Sequence, residues 1–366
     1  MDEQKSAPAL KDIFNSQRIE QIADQMSVVS SGFDRSRFLA SCADMDRLSL
    51  MARVRRVAES LHLALPGSYS ENIEALYPLA PQLDGGLAAL VLPEYVALYG
   101  AEHFELSMAA LKFFTVFGTS EYGVRHFLQR DLPRTLAVME SWTQDDNEHV
   151  RRLASEGSRP RLPWSFHITP LRLDPTALAA ILEPLKDDPS LYVRRSVANS
   201  LNDITKDNPD WVLDRLERWP LDTEHGAWIA KHSLRSLIKQ GNARALAVIG
   251  AGGTPQVALT ELRASPSAIQ LGQEIELAFT LSSLAGQSQR LVIDYALYYV
   301  KKSGAVSAKV FKLKTLELAG GAVVSIRKRQ LITNFTTRQH YPGRHEIEIL
   351  INGQVHGKTA FELLPS

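Results

Sequence analysis

The sequence contains very little cysteine and no long apolar segment. Cys42 is the only cysteine among its 366 residues, which excludes an intrachain disulfide and favours a reducing compartment. The first residues, MDEQKSAPALKDIF, lack the apolar core of a secretory signal. No apolar run approaches the roughly 20 residues that a membrane-spanning helix needs. These absences predict a cytoplasmic protein that does not act at a membrane.

The short motifs of the common enzyme classes are also missing. The sequence has no phosphate-binding loop, no HExxH, no CxxC and no nucleophile elbow. Only His340 and His345 have a spacing found in zinc sites, and no cysteine pair accompanies them. We therefore expect neither a metal nor a cofactor, and a thiol nucleophile is a poor candidate.

An excess of charge of one sign is absent as well, because 41 Lys and Arg balance 41 Asp and Glu. Taken alone, this balance argues against a surface built to bind phosphate. Residues 251–366, however, carry 13 basic and 8 acidic residues, whereas residues 1–250 carry 28 basic and 33 acidic ones. Two regions of opposite charge cancel, and the basic one is C-terminal.

The first 250 residues have the apolar spacing of helices. This period is visible over Leu10–Val28, Phe38–Leu63 and Phe104–Phe117. Three later segments resemble one another: HVRRLA at 149–154, YVRRSVA at 192–198 and WIAKHSL at 228–234. Their spacing is typical of two-helix HEAT-like repeats. The pattern predicts an α-helical solenoid of HEAT-like repeats over residues 1–250.

A change of period marks the C-terminal region. The segment GAGGTP at 250–255 is rich in glycine and predicts a linker over residues 251–257. Beyond it apolar residues alternate, as in Ile275–Phe279 and Glu346–Ile351, and Asn352-Gly353 is a strong hairpin signal. We expect an all-β immunoglobulin-like sandwich over residues 258–366.

Three carboxylates of the repeat region are candidates for chemistry, and each has a structural alternative. Ser120 resembles a helix N-cap, so that Glu121 in the first turn could simply pair with Arg125. Glu156 follows Arg152 by four residues and could form an i,i+4 ion pair. Asp203 near a helix C-terminus opposes the helix dipole, and Lys206 could offset its charge. The residues alone leave these alternatives open.

Arginines and aromatic residues are concentrated between two of these carboxylates. Pro160 and Pro163 predict a loop that leaves a helix. Arginine binds phosphate in a bidentate manner, and aromatic faces attract flat or cationic ligands. The alternative is a surface loop anchored by a buried tryptophan. The stretch contains Arg151, Arg152, Arg159, Arg161, Trp164, Phe166 and His167.

Taken together, these segments carry a family resemblance. Gly118–Phe127, Asp146–Gly157, Arg161–Trp164 and Val193–Ile204 resemble the HEAT-like-repeat DNA glycosylases for alkylated bases, and the AlkC branch rather than the AlkD branch. The resemblance covers roughly residues 7–250. The C-terminal sandwich is similar to an immunoglobulin-like extension found on some members of that branch.

The resemblance implies a monofunctional glycosylase for base excision repair. Its substrate would be double-stranded DNA with cationic alkylated bases such as 3-methyladenine and 3-methylcytosine. The enzyme would hydrolyse the N-glycosidic bond of the alkylated base without a cofactor. Glu121 and Asp203 would be the catalytic carboxylates, with Glu156 as a third, and Arg152 and Trp164 would hold the lesion. A monomer associated with the nucleoid when bound to DNA is expected. Further DNA contacts would come from Arg151, Arg159, Arg161, Phe166, His167, Arg194, Arg195, Lys231 and His232.

The basic C-terminal region suggests a second DNA-binding surface. In a strand, Lys312 and Lys314 share one face, as do Arg327 and Arg329. These cations could contact phosphates and act as a clamp, or they could be solvated edge residues that deter aggregation. At the level of the whole chain, the alternative to the enzyme is a non-catalytic HEAT-like scaffold that binds nucleic acid or protein.

Overall fold

A computed structural model describes residues 10–335 and 339–365 of the chain. Helices occupy the first part and strands the second, and the change falls between Val248 and Val257. This is the order of fold classes that the sequence predicts. Among the described residues, no helix combines the length and apolarity required to cross a membrane.

The α-helices are short, and several begin with a side-chain cap. Asn15, for example, accepts a hydrogen bond from the amide of Arg18 at the start of α1. The helices are α1 Ser16–Val29, α2 Arg35–Ser41, α3 Leu50–Ala64, α4 Tyr69–Leu76, α5 Val91–Tyr99, α6 Phe104–Phe114, α7 Val124–Arg130, α8 Leu132–Ser141, α9 Glu148–Gly157, α10 Thr169–Leu173, α11 Ala179–Leu185, α12 Leu191–Ile204, α13 Pro209–Leu216, α14 Glu224–Ser233, α15 Arg235–Lys239 and α16 Ala243–Val248.

The predicted helix over Phe38–Leu63 is interrupted in the structure. The apolar pattern over Phe38–Leu63 runs across two helices, α2 and α3, rather than one. Asp44 lies between them with φ 58°, a left-handed conformation that cannot continue a right-handed helix. The pattern identified the buried residues on both sides but not the break.

The chain forms two compact units that divide between Asn208 and Pro209. In the first unit, α9 and α12 pack together, and the repeat residues Val150 and Val193 are buried between helices. The second unit contains α13–α16 as well as all strands. The helix-to-strand change lies at the expected place near residue 250, whereas the division between the units lies earlier.

The strands of the second unit form two sheets of orders β1-β3-β6 and β2-β8-β7-β4-β5. Alternate residues face a common core, including Phe279, Tyr295 and Ile349. Asn352 and Gly353 have φ of 47° and 77° and form the turn between β7 and β8, which confirms the predicted hairpin. The strands are β1 Val257–Ser265, β2 Ala268–Ile269, β3 Glu274–Ser283, β4 Gln289–Val300, β5 Val306–Leu318, β6 Val323–Leu331, β7 Gly343–Ile351 and β8 Gln354–Leu363.

Candidate active site

Glu121 lies in a turn that precedes α7, not in the first turn of that helix. The expected N-cap at Ser120 is wrong, because its buried hydroxyl group donates to the carbonyl of Leu111 and α7 begins at Val124. The hydroxyl group of Thr119 instead donates to Glu121 Oε2 at 2.8 Å. Glu121 is therefore positioned by the turn, and its side chain is only 7% exposed.

Arg125 does not pair with Glu121, although the sequence suggested that contact. Its fully buried guanidinium group donates to the carbonyls of Gly157 at 3.0 Å and Arg159 at 2.7 Å, and also to that of Phe166. Burial, followed by the nearby charge of Arg159, lowers the pKa of Arg125 to about 10. Arg125 thus holds both ends of the loop that follows α9.

The three candidate carboxylates alternate with two arginines in a single connected row. Arg152 forms an ion pair with Glu121, and its Nη2 lies 3.5 Å from Glu156 Oε1. On the other side, Arg159 Nη1 lies 2.6 Å from Glu156 Oε1, and its Nε and Nη2 both lie 2.8 Å from Asp203 Oδ2. We call these five residues the carboxylate–arginine row. It joins the turn before α7, the end of α9 and the end of α12.

The row is almost completely withdrawn from solvent. Glu156 and Asp203 are 6% and 3% exposed. Burial alone would lower the pKa of Arg152, but the charges of Glu121 and Glu156 raise it overall. For Arg159, the effect of burial is likewise exceeded by Glu156 and Asp203. Oriented charges in such a site act on a nearby reaction far more strongly than they would in water.

Two of the structural alternatives are also present. The i,i+4 contact between Arg152 and Glu156 exists, and Lys206 Nζ lies 3.1 Å from Asp203 Oδ1 in the last turn of α12. These are not the only ion pairs of the two carboxylates, because Arg159 pairs with both Glu156 and Asp203. The local ion pairs are parts of the longer row.

Two tyrosines next to the row were not singled out from the sequence. The ring of Tyr192 lies 5.1 Å from the guanidinium carbon of Arg152. Burial and the charge of Glu121 raise the pKa of Tyr122 to about 12. Together with His149, both rings line a cavity of about 340 Å³. Tyr122 follows Glu121 directly in sequence and Tyr192 immediately precedes the VRR segment, which is the signal that could have identified them.

The loop after α9 presents aromatic side chains to solvent. Trp164 is 64% exposed and has φ 63°, a conformation that is a true outlier for a bulky residue. The alternative of a buried, anchoring tryptophan is therefore wrong. Phe166 is partly exposed beside the ring of His126, and His167 is exposed. An exposed, strained tryptophan is typical of a functional loop.

Arg152 and Arg159 lie in the row, and the other arginines expected to contact DNA fall into two groups. Arg151 binds Asp188 at 2.7 Å, and Arg194 donates to the carbonyls of Asp188 and Pro189. These two tie the start of α12 to α9, so we interpret them as structural. Arg195 is exposed, and Arg161 is partly exposed in an ion pair with Asp207.

The remaining candidates belong to the second unit. Lys231 and His232 lie in the last turn of α14, where the ring of His232 stacks on that of Trp228 at 4.8 Å. Four cations of the strands are exposed, namely Lys312, Lys314, Arg327 and Arg329.

Comparisons with known proteins agree with this architecture. A family model described as DNA alkylation repair enzyme matches residues 95–240, and a model of the C-terminal Ig-like domain of the uncharacterised protein YhaZ matches residues 258–365. The chain is 39% identical to uncharacterized protein YhaZ of Bacillus subtilis (strain 168) over 356 residues, which cover 97% of this chain and 99% of that protein. The solved structure of Pseudomonas fluorescens alkylpurine DNA glycosylase AlkC, bound to DNA containing an abasic site analogue, superposes with a TM-score of 0.96 at 55% identity, covering 98% of this chain and 100% of that one.

Proposed function

This chain belongs to the family of DNA alkylation repair enzymes that includes the alkylpurine DNA glycosylase AlkC, and we propose that it hydrolyses the N-glycosidic bond of alkylated bases in duplex DNA. Its preferred lesions are bases that alkylation has made cationic, such as 3-methyladenine and 3-methylcytosine. The observation that carries the proposal is the buried carboxylate–arginine row, followed in the loop after α9 by an exposed tryptophan. We further propose that the enzyme acts as a cytoplasmic monomer.

The chemistry of a cationic base explains why carboxylates are required. When its glycosidic bond breaks, the bonding electrons go to the base, which leaves as a neutral molecule and needs no general acid. Positive charge then develops on the sugar, and a water molecule adds to C1′ and loses its proton. Carboxylates can stabilise the positive sugar and accept that proton.

The contacts within the row support different roles for its members. Glu156 lies at its centre and is held by both Arg152 and Arg159, which suits an orienting residue. Glu121 and Asp203 occupy the two ends, and we assign the electrostatic and water-positioning roles to them. The guanidinium groups keep the carboxylates apart, so that three like charges are tolerated in a buried site.

Trp164 is the proposed contact for the flat face of the lesion. A cationic ring is attracted to the face of tryptophan more strongly than to the other aromatic side chains. The exposed position of Trp164 leaves its face available, and its backbone is held by the loop that Arg125 secures. Phe166 and His167 add two further exposed rings to the same loop.

The basic strands support a DNA clamp. Lys312 and Lys314 on β5 and Arg327 and Arg329 on β6 are exposed and can reach phosphate oxygens. Such contacts supply affinity rather than sequence preference. Arg152, Arg161 and Arg195 supply further positive charge on the first unit.

Release of methylated base from alkylated duplex DNA tests the function. We expect the parent to release base, and Asp203→Asn and Glu121→Gln to be slower by about 100-fold or more, as for other preorganised electrostatic groups. Asp207→Asn is the matched control, because Asp207 pairs with Arg161 outside the row. A parent that binds DNA but releases no base would be a scaffold. Full activity in both variants would refute the assigned roles.

A further inference from the structure

Within the second unit, α15 packs against β5, and helix and strand residues line a small, partly open cavity. Its volume is about 60 Å³, and apolar side chains such as Ile238 and Val292 contribute to its wall. The turn after α15 is close to the β7–β8 turn, since a Cβ atom on Gly241 would lie 3.0 Å from the Cα of Gly353. The cavity is therefore bounded by helix residues on one side and by strand residues on the other.

Positive side chains dominate the polar lining of this cavity. They are Lys231, Arg235, Lys239 and Lys312, and a single carboxylate, Asp294, accompanies them. Asp294 is only 5% exposed. Burial raises the pKa of its carboxyl group to about 6, although Lys239 and Lys312 act in the opposite direction. At neutral pH one negative charge thus faces four positive ones.

The positions of Lys231 and Lys312 are unusual because both side chains line the same small cavity and carry the same charge. Burial and the neighbouring ammonium group of Lys312 lower the pKa of Lys231. Neither ammonium group forms an ion pair with a carboxylate in the described part of the chain. Two like charges at neighbouring positions of a cavity wall repel each other, and an anion bound between them would relieve that repulsion.

We propose that the cavity lined by Lys231, Arg235, Lys239 and Lys312 is a binding site for a phosphate group. A tetrahedral oxyanion can accept hydrogen bonds from ammonium and guanidinium groups at the same time. The cavity of about 60 Å³ has room for a group of this size among the four cations. The ligand is an internucleotide phosphate of DNA if the proposed function holds, or free phosphate if it does not.

The site would link two parts of the chain that the family models treat separately. The first model ends at residue 240 and the second begins at residue 258. A phosphate bound here would contact α14 and α15 through Lys231 and Arg235 and β5 through Lys312. The negative charge of the phosphate would attract the cations of the helices and of β5, which otherwise repel one another.

Thermal unfolding of the full-length protein with inorganic phosphate tests the site directly. We expect phosphate to raise the Tm by at least about 2 °C over chloride at equal ionic strength, because a ligand that binds only the folded state stabilises it. The rise should be absent in K231Q/K312Q. This variant should fold, because it removes a repulsion. The matched control is K301Q/K302Q, which removes two exposed charges from the β4–β5 turn and should keep the rise.

Binding of undamaged duplex DNA identifies the source of the phosphate. An internucleotide phosphate predicts that K231Q/K312Q binds DNA at least about 10-fold more weakly than K301Q/K302Q, and that phosphate competes with DNA. Equal DNA affinities with a phosphate-specific Tm rise would identify free phosphate as the ligand. Equal DNA affinities without that rise would overturn the site. Base release by the parent is scored separately, so a phosphate-dependent Tm rise without base release would refute the proposed function and not the site.

Discussion

Arg159 contacts a single oxygen of Asp203 through two nitrogens, because Nε donates a hydrogen bond to Oδ2 and Nη2 also lies 2.8 Å from it in the ion pair. Its third nitrogen, Nη1, lies 2.6 Å from Glu156. Asp203 belongs to the end of α12 and Glu156 to the end of α9. One guanidinium group therefore sets the separation of two carboxylates that come from different repeats.

Replacing Arg159 should consequently affect both stability and activity. In Arg159→Gln, Glu156 and Asp203 would remain buried without their shared cation, a change that typically destabilises proteins by about 3–5 kcal/mol. Urea denaturation measures this loss. Base release should also fall, because neither carboxylate keeps its orientation.

The appropriate comparison is Arg161→Gln. Arg161 forms a similar pair with Asp207, but both side chains are 22% exposed. Partly solvated pairs contribute only about 0–1 kcal/mol. An equal decrease in the free energy of unfolding in the two variants would show that the row has no special structural importance.

Trp164→Ala should impair activity without unfolding the protein. Exposed side chains usually change stability by no more than about 0.5 kcal/mol, whereas loss of a cation–π contact of about 1–2 kcal/mol corresponds to a roughly 10-fold fall in kcat/KM for base release. Trp164→Phe should retain part of the activity. Leu173→Ala, at a residue 77% exposed in α10, should behave like the parent. Parent-like kinetics in Trp164→Ala would contradict the assigned contact.

Neutralising β6 should reduce the salt dependence of DNA binding. Each lost phosphate contact lowers the magnitude of the slope of log K against log salt by about 0.9, so R327Q/R329Q should lower it by about 1.8. Titrations of duplex DNA at several KCl concentrations provide the slope. K301Q/K302Q serves as the control with the same loss of charge. A slope unchanged from the parent would exclude these arginines from the clamp.

Asp294 should make the protein less stable as pH rises through the weakly acidic range. Its pKa is raised from 3.8 to about 6 in the folded protein, so the folded state binds the proton more tightly than the unfolded state. The free energy of unfolding should therefore decrease between about pH 4 and pH 6, by up to about 3 kcal/mol from this group. Urea denaturation of Asp294→Asn should show a flatter profile over that interval. An identical pH profile would show that Asp294 does not titrate in this way.

Much of the fold followed from periodicity, because burial selects apolar residues at helical or alternating spacing. The spacing identified Val150 and Val193 as equivalent positions, and both are buried in packed helices. The alternation in β7 and the Asn352-Gly353 turn were equally informative. The apolar pattern did not reveal the break at Asp44, since a single residue with positive φ leaves little trace in such a pattern.

The candidate site was predicted only in part. Residue types and family motifs pointed to Glu121, Glu156 and Asp203, and the structure brings them together through Arg152 and Arg159. The pairing of each arginine with a particular carboxylate depends on how the repeats pack, which the sequence pattern does not give. Spacing suggested that Arg125 would pair with Glu121, whereas its side chain turns inward to three carbonyls.

Those three carbonyls belong to residues 157, 159 and 166, on either side of the loop that carries Trp164. A substitution at the tip of the loop changes the exposed surface and leaves the ends in place. An insertion or deletion between residues 160 and 165 would instead move the carbonyl of Phe166 away from Arg125. This loop can therefore tolerate a change in composition far more easily than a change in length.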